Sequence, residues 1–349
     1  MNATLLWWGR FDPNYSRNRI LRSLLKDNGI GLRDFRPRSS VLGSLEAAIR
    51  RPQPGDALWL PCFRHRDFSS ARNYADRHDL KLVFDPLISS WDKTVYERQK
   101  YPATHYRARR LLQRERSLFS QADIVVADTR SHADFFIEQL GAPAERTRVI
   151  PVGAEEALFT RQPPRSPSDR PEILFFGSFI GLQGPQHIVE AARLVPDARW
   201  TLLGEGPLRS HCESLARNLA NIGFEDWLPY ERLPERIAQA DVLLGIFGDS
   251  PKAGRVIPNK VYQALACGRP VVTRISPAYP ETLLNDRASG LVFTAPADPA
   301  SLATAVSTLI SDSTELSAAA DQASRTYKKY FSLSHTEQAL LDVLGVLGL

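Results

Sequence analysis

The stretch that decides the fold is residues 242–273, VLLGIFGDSPKAGRVIPNKVYQALACGRPVVT. Its opening apolar run, 242–247, reads as a buried strand of a parallel sheet. A loop rich in Gly, Pro and basic residues follows. A helix is predicted to begin near Pro258, since proline suits the first helical position, and to stop at Gly268. Residues 270–273 begin the next strand. The whole is a βαβ unit with a polar loop at the carboxyl end of its first strand, the edge where open α/β sheets bind ligands. Within the helix, Val261, Ala264 and Leu265 share an apolar side, and Asn259 and Gln263 share another. The helix N-terminus offers free N–H groups and partial positive charge to a phosphate. Lys252, Arg255 and Lys260 add formal charge there. The competing reading is an ordinary surface helix with a solvated basic loop.

Residues 263–271, QALACGRPV, resemble part of the donor-binding segment of family 4 glycosyltransferases. The family pattern is Glu, seven residues, Glu, then Ala-x-Ala-x-Gly-x-Pro-Val. Here Arg255 and Gln263 occupy the two acid positions. Pro258-Asn259-Lys260 fits a family variant with Pro-x-Lys ahead of the second acid. A glutamine at 263 can both accept from and donate to ribose hydroxyls, whereas Arg255 cannot accept, so its role must differ. Other stretches match in order. Residues 148–153, RVIPVG, resemble the end of the family's N-terminal domain. The strand–loop–helix at 173–194 resembles its diphosphate loop, with Ser178 and Gln183 where Arg and Lys are usual. Gly204-Glu205-Gly206 falls beside the nucleotide, and residues 226–230, centred on Leu228, fall where the backbone holds the base. Residues 276–281 resemble the Gly-x-x-Glu loop only in Pro280-Glu281, and 290–293 and 299–310 match the closing strand and helix.

The resemblance implies the α/β GT-B fold: two doubly wound Rossmann-like domains facing across a cleft. Residues 1–152 would form the acceptor-binding domain and 153–333 the nucleotide-sugar-binding domain, with a helix at about 334–349 returning to the first. It further implies a retaining glycosyltransferase that moves sugar from a nucleotide-sugar donor to a glycan or lipid-linked acceptor. Gly9, Gly177, Ser178, Gln183, Gly184, Gly204, Leu228, Asn259 and Gln263 are the expected donor-binding positions. Neither Ser178 nor Gln183 is charged. Backbone N–H groups and Lys252, Arg255 or Lys260 must then hold the diphosphate. Arg255 and Lys260, with Asp85, are the catalytic candidates. Two other readings stay open: a sugar-nucleotide epimerase on the same fold, and a non-catalytic sugar-nucleotide-binding protein.

The length of 349 residues suits about two domains. Three cysteines make no disulfide framework in so long a chain and suggest a reducing compartment. The apolar run at 5–8 is too short for a secretory leader, and no run approaches the roughly 18 residues of a membrane span. The expectation is a cytoplasmic protein, peripheral at the inner membrane face. Residues 1–150 hold 26 Lys and Arg against 17 Asp and Glu, whereas the remainder holds 18 against 22. The basic N-terminal half calls for an anionic partner. No nucleic-acid-reading motif is present, so an anionic membrane surface or a phosphorylated acceptor is preferred.

The predicted helix 102–119, with Arg107, Arg109, Arg110, Arg114 and Arg116, is both basic and amphipathic. It either lies on such a membrane or is a solvated outer layer whose apolar side is core. Strands are predicted at 4–8, 57–61, 82–84, 124–127 and 148–151, with helices at 17–28, 67–78 and 132–140 between them. Gly9 closes the first strand, where a ligand can approach the backbone. Asp85 ends the strand 82–84, and Asp92 follows. Each either serves acceptor hydroxyls and proton transfer or caps a turn or helix. No Asp-x-Asp pair and no His pair with ligand spacing appear, so neither a metal nor a further cofactor is expected. Residues 161–171, RQPPRSPSDRP, read as a linker.

Overall fold

The computed structural model describes residues 3–163, 165, 168–286 and 288–349; Pro164, Ser166 and Pro167 of the expected linker lie outside the described residues. The chain divides into two compact units, Met1–Val152 with Ser334–Leu349, and Gly153–Leu333.

The first unit is built on a parallel sheet of β1 (Thr4–Trp8), β2 (Gly31–Phe35), β3 (Ala57–Leu60), β4 (Lys81–Phe84), β5 (Ile124–Ala127) and β6 (Thr147–Val149), in the order β2-β1-β3-β4-β5-β6. The second holds β7 (Glu172–Phe176), β8 (Arg199–Leu203), β9 (Ile222–Glu225), β10 (Val242–Leu244), β11 (Val271–Arg274) and β12 (Leu291–Thr294), in the order β12-β11-β10-β7-β8-β9. Each sheet is doubly wound. The winding reverses between β1 and β3 in one and between β7 and β10 in the other, and these reversals open crevices at the carboxyl edge.

The central strands are continuous apolar runs because helices cover both faces. ALWL of β3 and IVVA of β5 are buried along their whole length. The first core gathers Trp8, Phe35, Tyr74, Phe84 and Phe119. The second gathers Phe175, Phe179, Ile188, Trp200 and Leu302. The edge strands β2 (GLRDF) and β9 (IGFE) are mostly half-buried or exposed, so they carry no apolar run that periodicity could detect. The helices Gly43–Arg50 and Ser313–Thr326 also lie outside the sequence reading. The first turns large apolar side chains outward, and the second buries only Ala323, Ser324 and Thr326.

Two predicted boundaries move for local reasons. β10 ends at Leu244, beyond which the Ile246 N–H donates to the Thr273 hydroxyl at 3.2 Å, with the Thr273 side chain packed against Gly245. The expected helix 102–119 runs instead from Tyr106 to Gln121. His105 caps its start, Nδ1 accepting from the Arg107 N–H at 3.2 Å.

The loops at the carboxyl edge of the second sheet are packed backbone to backbone. Gly204, with φ of 125°, lies so close to the loop after β7 that a Cβ there would stand 2.2 Å from the Gly177 carbonyl oxygen. Gly204→Ala should therefore cost roughly 2 to 4 kcal/mol of stability, from backbone strain plus overpacking. Urea unfolding of the variant checks this. A midpoint unchanged from the parent would mean the two loops are free to part.

Candidate functional site

The second unit builds its site where β7 and β10 diverge. After β7 the chain makes the loop of residues 177–184. Gly184 precedes the helix Pro185–Leu194, so the first free N–H groups of that helix point back into the loop. After β10, residues 245–258 form the longer, basic loop. A small apolar plug of Leu182, Ile246 and Ala253, backed by Ile180 and Val256, joins the two loops. The Phe247 N–H donates to the Gln183 carbonyl at 3.0 Å. Below them, Arg274 Nη1 donates to the Gly248 carbonyl at 2.5 Å, and Ser276 Oγ to the Gly254 carbonyl at 2.7 Å. The loop that carries Lys252 and Arg255 is thus held at several points.

Lys260 is the centre of this site. It is the second residue of the helix Asn259–Ala266, whose apolar residues Val261, Ala264 and Leu265 are fully buried. Helical spacing turns Lys260 towards β7. Its ammonium lies over the Phe175 ring, 3.8 Å from the centroid, and donates to Gln183 Oε1. It also abuts Gly177: a Cβ there would sit 2.7 Å from Nζ. The residue is only 6% exposed, and among the described residues no carboxylate pairs with it. Burial holds the Lys260 amine well below the ordinary lysine value. A buried cation without an anion is costly to keep, so the amine gives up its proton more readily here than in water.

Gln263, one turn further on, is buried and its Nε2 donates to the Tyr230 hydroxyl at 3.2 Å. Phe159 packs edge-on against the Tyr230 ring. Gly177, Gln183, Gly184 and Lys260 are therefore brought together, with Gly204 against Gly177. Ser178, Asn259 and Arg255 are half-buried residues of the loops and helix that form the same edge. Leu228 is placed differently, lining a cavity of about 210 Å³ with Glu225, Arg232 and Arg236.

In the first unit Gly9 ends β1, its N–H donating to the Phe35 carbonyl of β2 at 2.9 Å. Asp85 corrects the expectation of a catalytic carboxylate. It is wholly buried, and Arg17 Nε reaches both of its oxygens, at 3.0 and 2.8 Å. Arg17 Nη1 also donates to the Ile150 carbonyl at 3.1 Å. Burial raises the Asp85 carboxyl above its ordinary value, with Arg17 pulling it part of the way back. So enclosed, the carboxylate is committed to Arg17. It ties helix Ser16–Asp27 to the end of β4 and to the end of the first unit's sheet. Asp92 is likewise fully buried. The helix Tyr106–Gln121 buries Ala108, Leu118 and Phe119 in the core and leaves its arginine side exposed.

The residues missed from sequence are Phe175, Tyr230 and Arg17. Phe175 reads as ordinary strand core, Tyr230 as loop, and Arg17 as the start of a surface helix. None carries a local signal of its partner.

Doubly wound sheets with a glycine-lined, cation-bearing crevice at the switch point define a nucleotide-binding class of fold. Residues 22–153 match the family described as "Glycosyl transferase 4-like domain", and residues 170–312 match "Glycosyl transferases group 1". The chain belongs to the family 4 glycosyltransferases and has their GT-B fold. It is similar to a GDP-mannose-dependent alpha-(1-6)-phosphatidylinositol monomannoside mannosyltransferase of Mycolicibacterium smegmatis, at 27% identity over 56% of this chain and 55% of that one. It is similar to a D-inositol 3-phosphate glycosyltransferase of Xylanimonas cellulosilytica, at 28% identity over 66% and 58% respectively. The chain thus spans a little over half the length of these curated relatives. In fold it resembles HepE of Anabaena, solved with UDP, with a TM-score of 0.73 at 17% identity over 98% of this chain and 100% of that one. It also resembles WaaG, a glycosyltransferase involved in lipopolysaccharide biosynthesis, with a TM-score of 0.66 at 17% identity over 97% and 98%.

If the Arg17–Asp85 pair is structural, breaking it should unfold the protein more readily. Arg17→Ala should cost about 3 to 5 kcal/mol by leaving a buried carboxylate alone. Asp85→Asn should also lower the urea midpoint. An Asp85→Asn protein of parental stability but without activity would return Asp85 to the chemistry.

Proposed function

We propose that the protein is a retaining glycosyltransferase that moves a sugar from a nucleotide-sugar donor to a glycan or lipid-linked acceptor. The observation that carries the donor half is the Lys260 side chain, buried at the switch point of the second sheet beside Gly177 and Gln183 with no carboxylate partner among the described residues. A diphosphate is the group that such a pocket favours: dianionic, and served at once by the ammonium, by the helix N-termini and by Arg255. The relative named for GDP-mannose and the HepE structure with UDP support a nucleoside diphosphate. They leave the base and sugar open. Gln263, positioned by the Tyr230 hydroxyl, takes the ribose.

As the sugar–phosphate bond breaks, negative charge grows on the leaving diphosphate. Lys260 and Arg255 then attract it more strongly than in the ground state, which accelerates the step. The resemblance to the family supports retention of configuration through an oxocarbenium-like transition state and a charge clamp that works without a metal. The basic excess of the N-terminal half supports an anionic acceptor or membrane surface.

Lys260→Ala and Arg255→Ala should each lower turnover by at least an order of magnitude, about 1.4 kcal/mol per order. Gln263→Ala should chiefly raise the donor KM, since a ribose contact changes little during transfer. Gln263→Glu should be tolerated, because the Tyr230 hydroxyl can turn to donate. A panel of nucleotide sugars with lipid-linked glycans, assayed for nucleoside diphosphate release and a new glycoside, provides the test. Nucleotide binding without turnover on any pair supports the binding-protein reading instead. Near-normal turnover in both alanine variants sinks the clamp.

A further inference from the structure

The helix Gly43–Arg50 presents its apolar side to solvent. Gly43 and Ala47 face inward, Gly43 against Ser70 of the helix Phe68–Arg77. Val41, Leu42, Leu45 and Ile49 are 84%, 57%, 59% and 75% exposed. Leu45 and Ile49 lie four apart on one face of the helix, and Val41 and Leu42 immediately precede it. Leu42, Leu45 and Ile49 line a groove of about 710 Å³ together with Arg36, Arg38 and Arg50.

The charge around this strip is one-sided. Residues 33–51 hold five arginines against Asp34 and Glu46. Both acids are already engaged. Asp34 pairs with Arg22 at 2.8 Å, and Glu46 with Arg50 at 2.7 Å, while the Arg38 N–H also donates to Glu46 at 2.7 Å. Arg36 and Arg50 lie over the rings of Phe11 and Phe35, which keeps their guanidinium groups at the rim. The equally basic helix Tyr106–Gln121 turns its apolar side into the core, so it offers charge without an apolar strip.

We propose that residues 36–51 are an interfacial docking surface for an anionic lipid bilayer. Val41, Leu42, Leu45 and Ile49 enter the acyl boundary, and Arg36, Arg38, Arg50 and Arg51 meet the lipid phosphates. Apolar side chains ringed by arginine, with the nearby acids neutralised, complement anionic headgroups over acyl chains. No helix among the described residues is long and apolar enough to cross a membrane, so the attachment is to the surface. The docking segment leaves the carboxyl end of β2, and Arg36 Nη2 donates to the Phe11 carbonyl, at 2.5 Å, in the loop that follows β1. Docking therefore brings the carboxyl edge of the first sheet to the lipid. The inference rests on the transferase reading only for the statement that a lipid-linked acceptor is met there.

Flotation of the full chain with phosphatidylcholine vesicles, with and without phosphatidylglycerol, tests it. Binding should require phosphatidylglycerol and weaken with salt. Leu45→Ser with Ile49→Ser should reduce binding at least tenfold without lowering the melting temperature, since both side chains are exposed. Arg38→Gln and Arg51→Gln should each reduce it about fivefold. Arg109→Gln with Arg110→Gln should leave it unchanged. The proposal is overturned if the parent ignores anionic vesicles, if the serine variant binds as the parent does, or if only the Arg109 and Arg110 changes weaken binding. It also falls if the serine variant merely turns a dimer into a monomer while the parent binds no vesicles. Nucleoside diphosphate binding, measured without vesicles, separates the two readings. A chain that binds vesicles but no nucleotide keeps the docking surface and loses the transferase reading, and the reverse result does the opposite.

Discussion

A lysine side chain held away from water, with no carboxylate partner among the described residues, is the constraint on which the second unit turns. Lys260 rests on the face of Phe175 and on one amide oxygen, and neither neutralises it. The surrounding architecture keeps this group in place. Glycine at 177 leaves room for Nζ, and Gly204 lets the next loop close over Gly177. The apolar plug of Leu182, Ile246 and Ala253 stops the basic loop from swinging away. The burial at this edge is therefore concentrated where an anion would offset its cost.

The first unit solves a similar problem in the opposite way. At the end of β4 the buried charge is fully paired. Arg17 satisfies both oxygens of Asp85 and also binds the Ile150 carbonyl, so helix, strand and chain exit move as one. A closed ion pair specifies geometry; an open cation specifies a ligand. The proposed division of scaffold from site rests on the contrast between Asp85, paired within the chain, and Lys260, which has no carboxylate partner among the described residues.

How much of this was legible in the sequence follows from the range of the interactions. β3 and β5 declare themselves through local apolar runs, the helix Pro299–Ile310 through the family resemblance, and the βαβ unit around residue 260 through its apolar run, proline and glycine. The edge strands β2 and β9 do not, because half-exposed strands need no apolar run. Lys260 was visible as a basic residue at a helix start, but its isolation depends on Gln183, 77 positions away. Asp85 looked available because Arg17, 68 positions upstream, bears no mark of the pairing. Helix amphipathicity likewise shows that a side is apolar and not which way it faces. Tyr106–Gln121 buries its apolar side, and Gly43–Arg50 exposes its own.

The central claim is that the empty site holds Lys260 with a depressed proton affinity and that a diphosphate restores it. The sign is fixed by burial: the folded value lies below the unfolded one of roughly 10.4, so between the two the empty protein binds less proton than the loaded one. Calorimetry of nucleoside diphosphate binding, repeated in buffers of different ionisation enthalpy across the neutral to alkaline range, measures that proton directly. The account predicts net proton uptake on binding within that window, absent in Lys260→Met. Binding without uptake at every pH, or the same uptake in Lys260→Met, would contradict it.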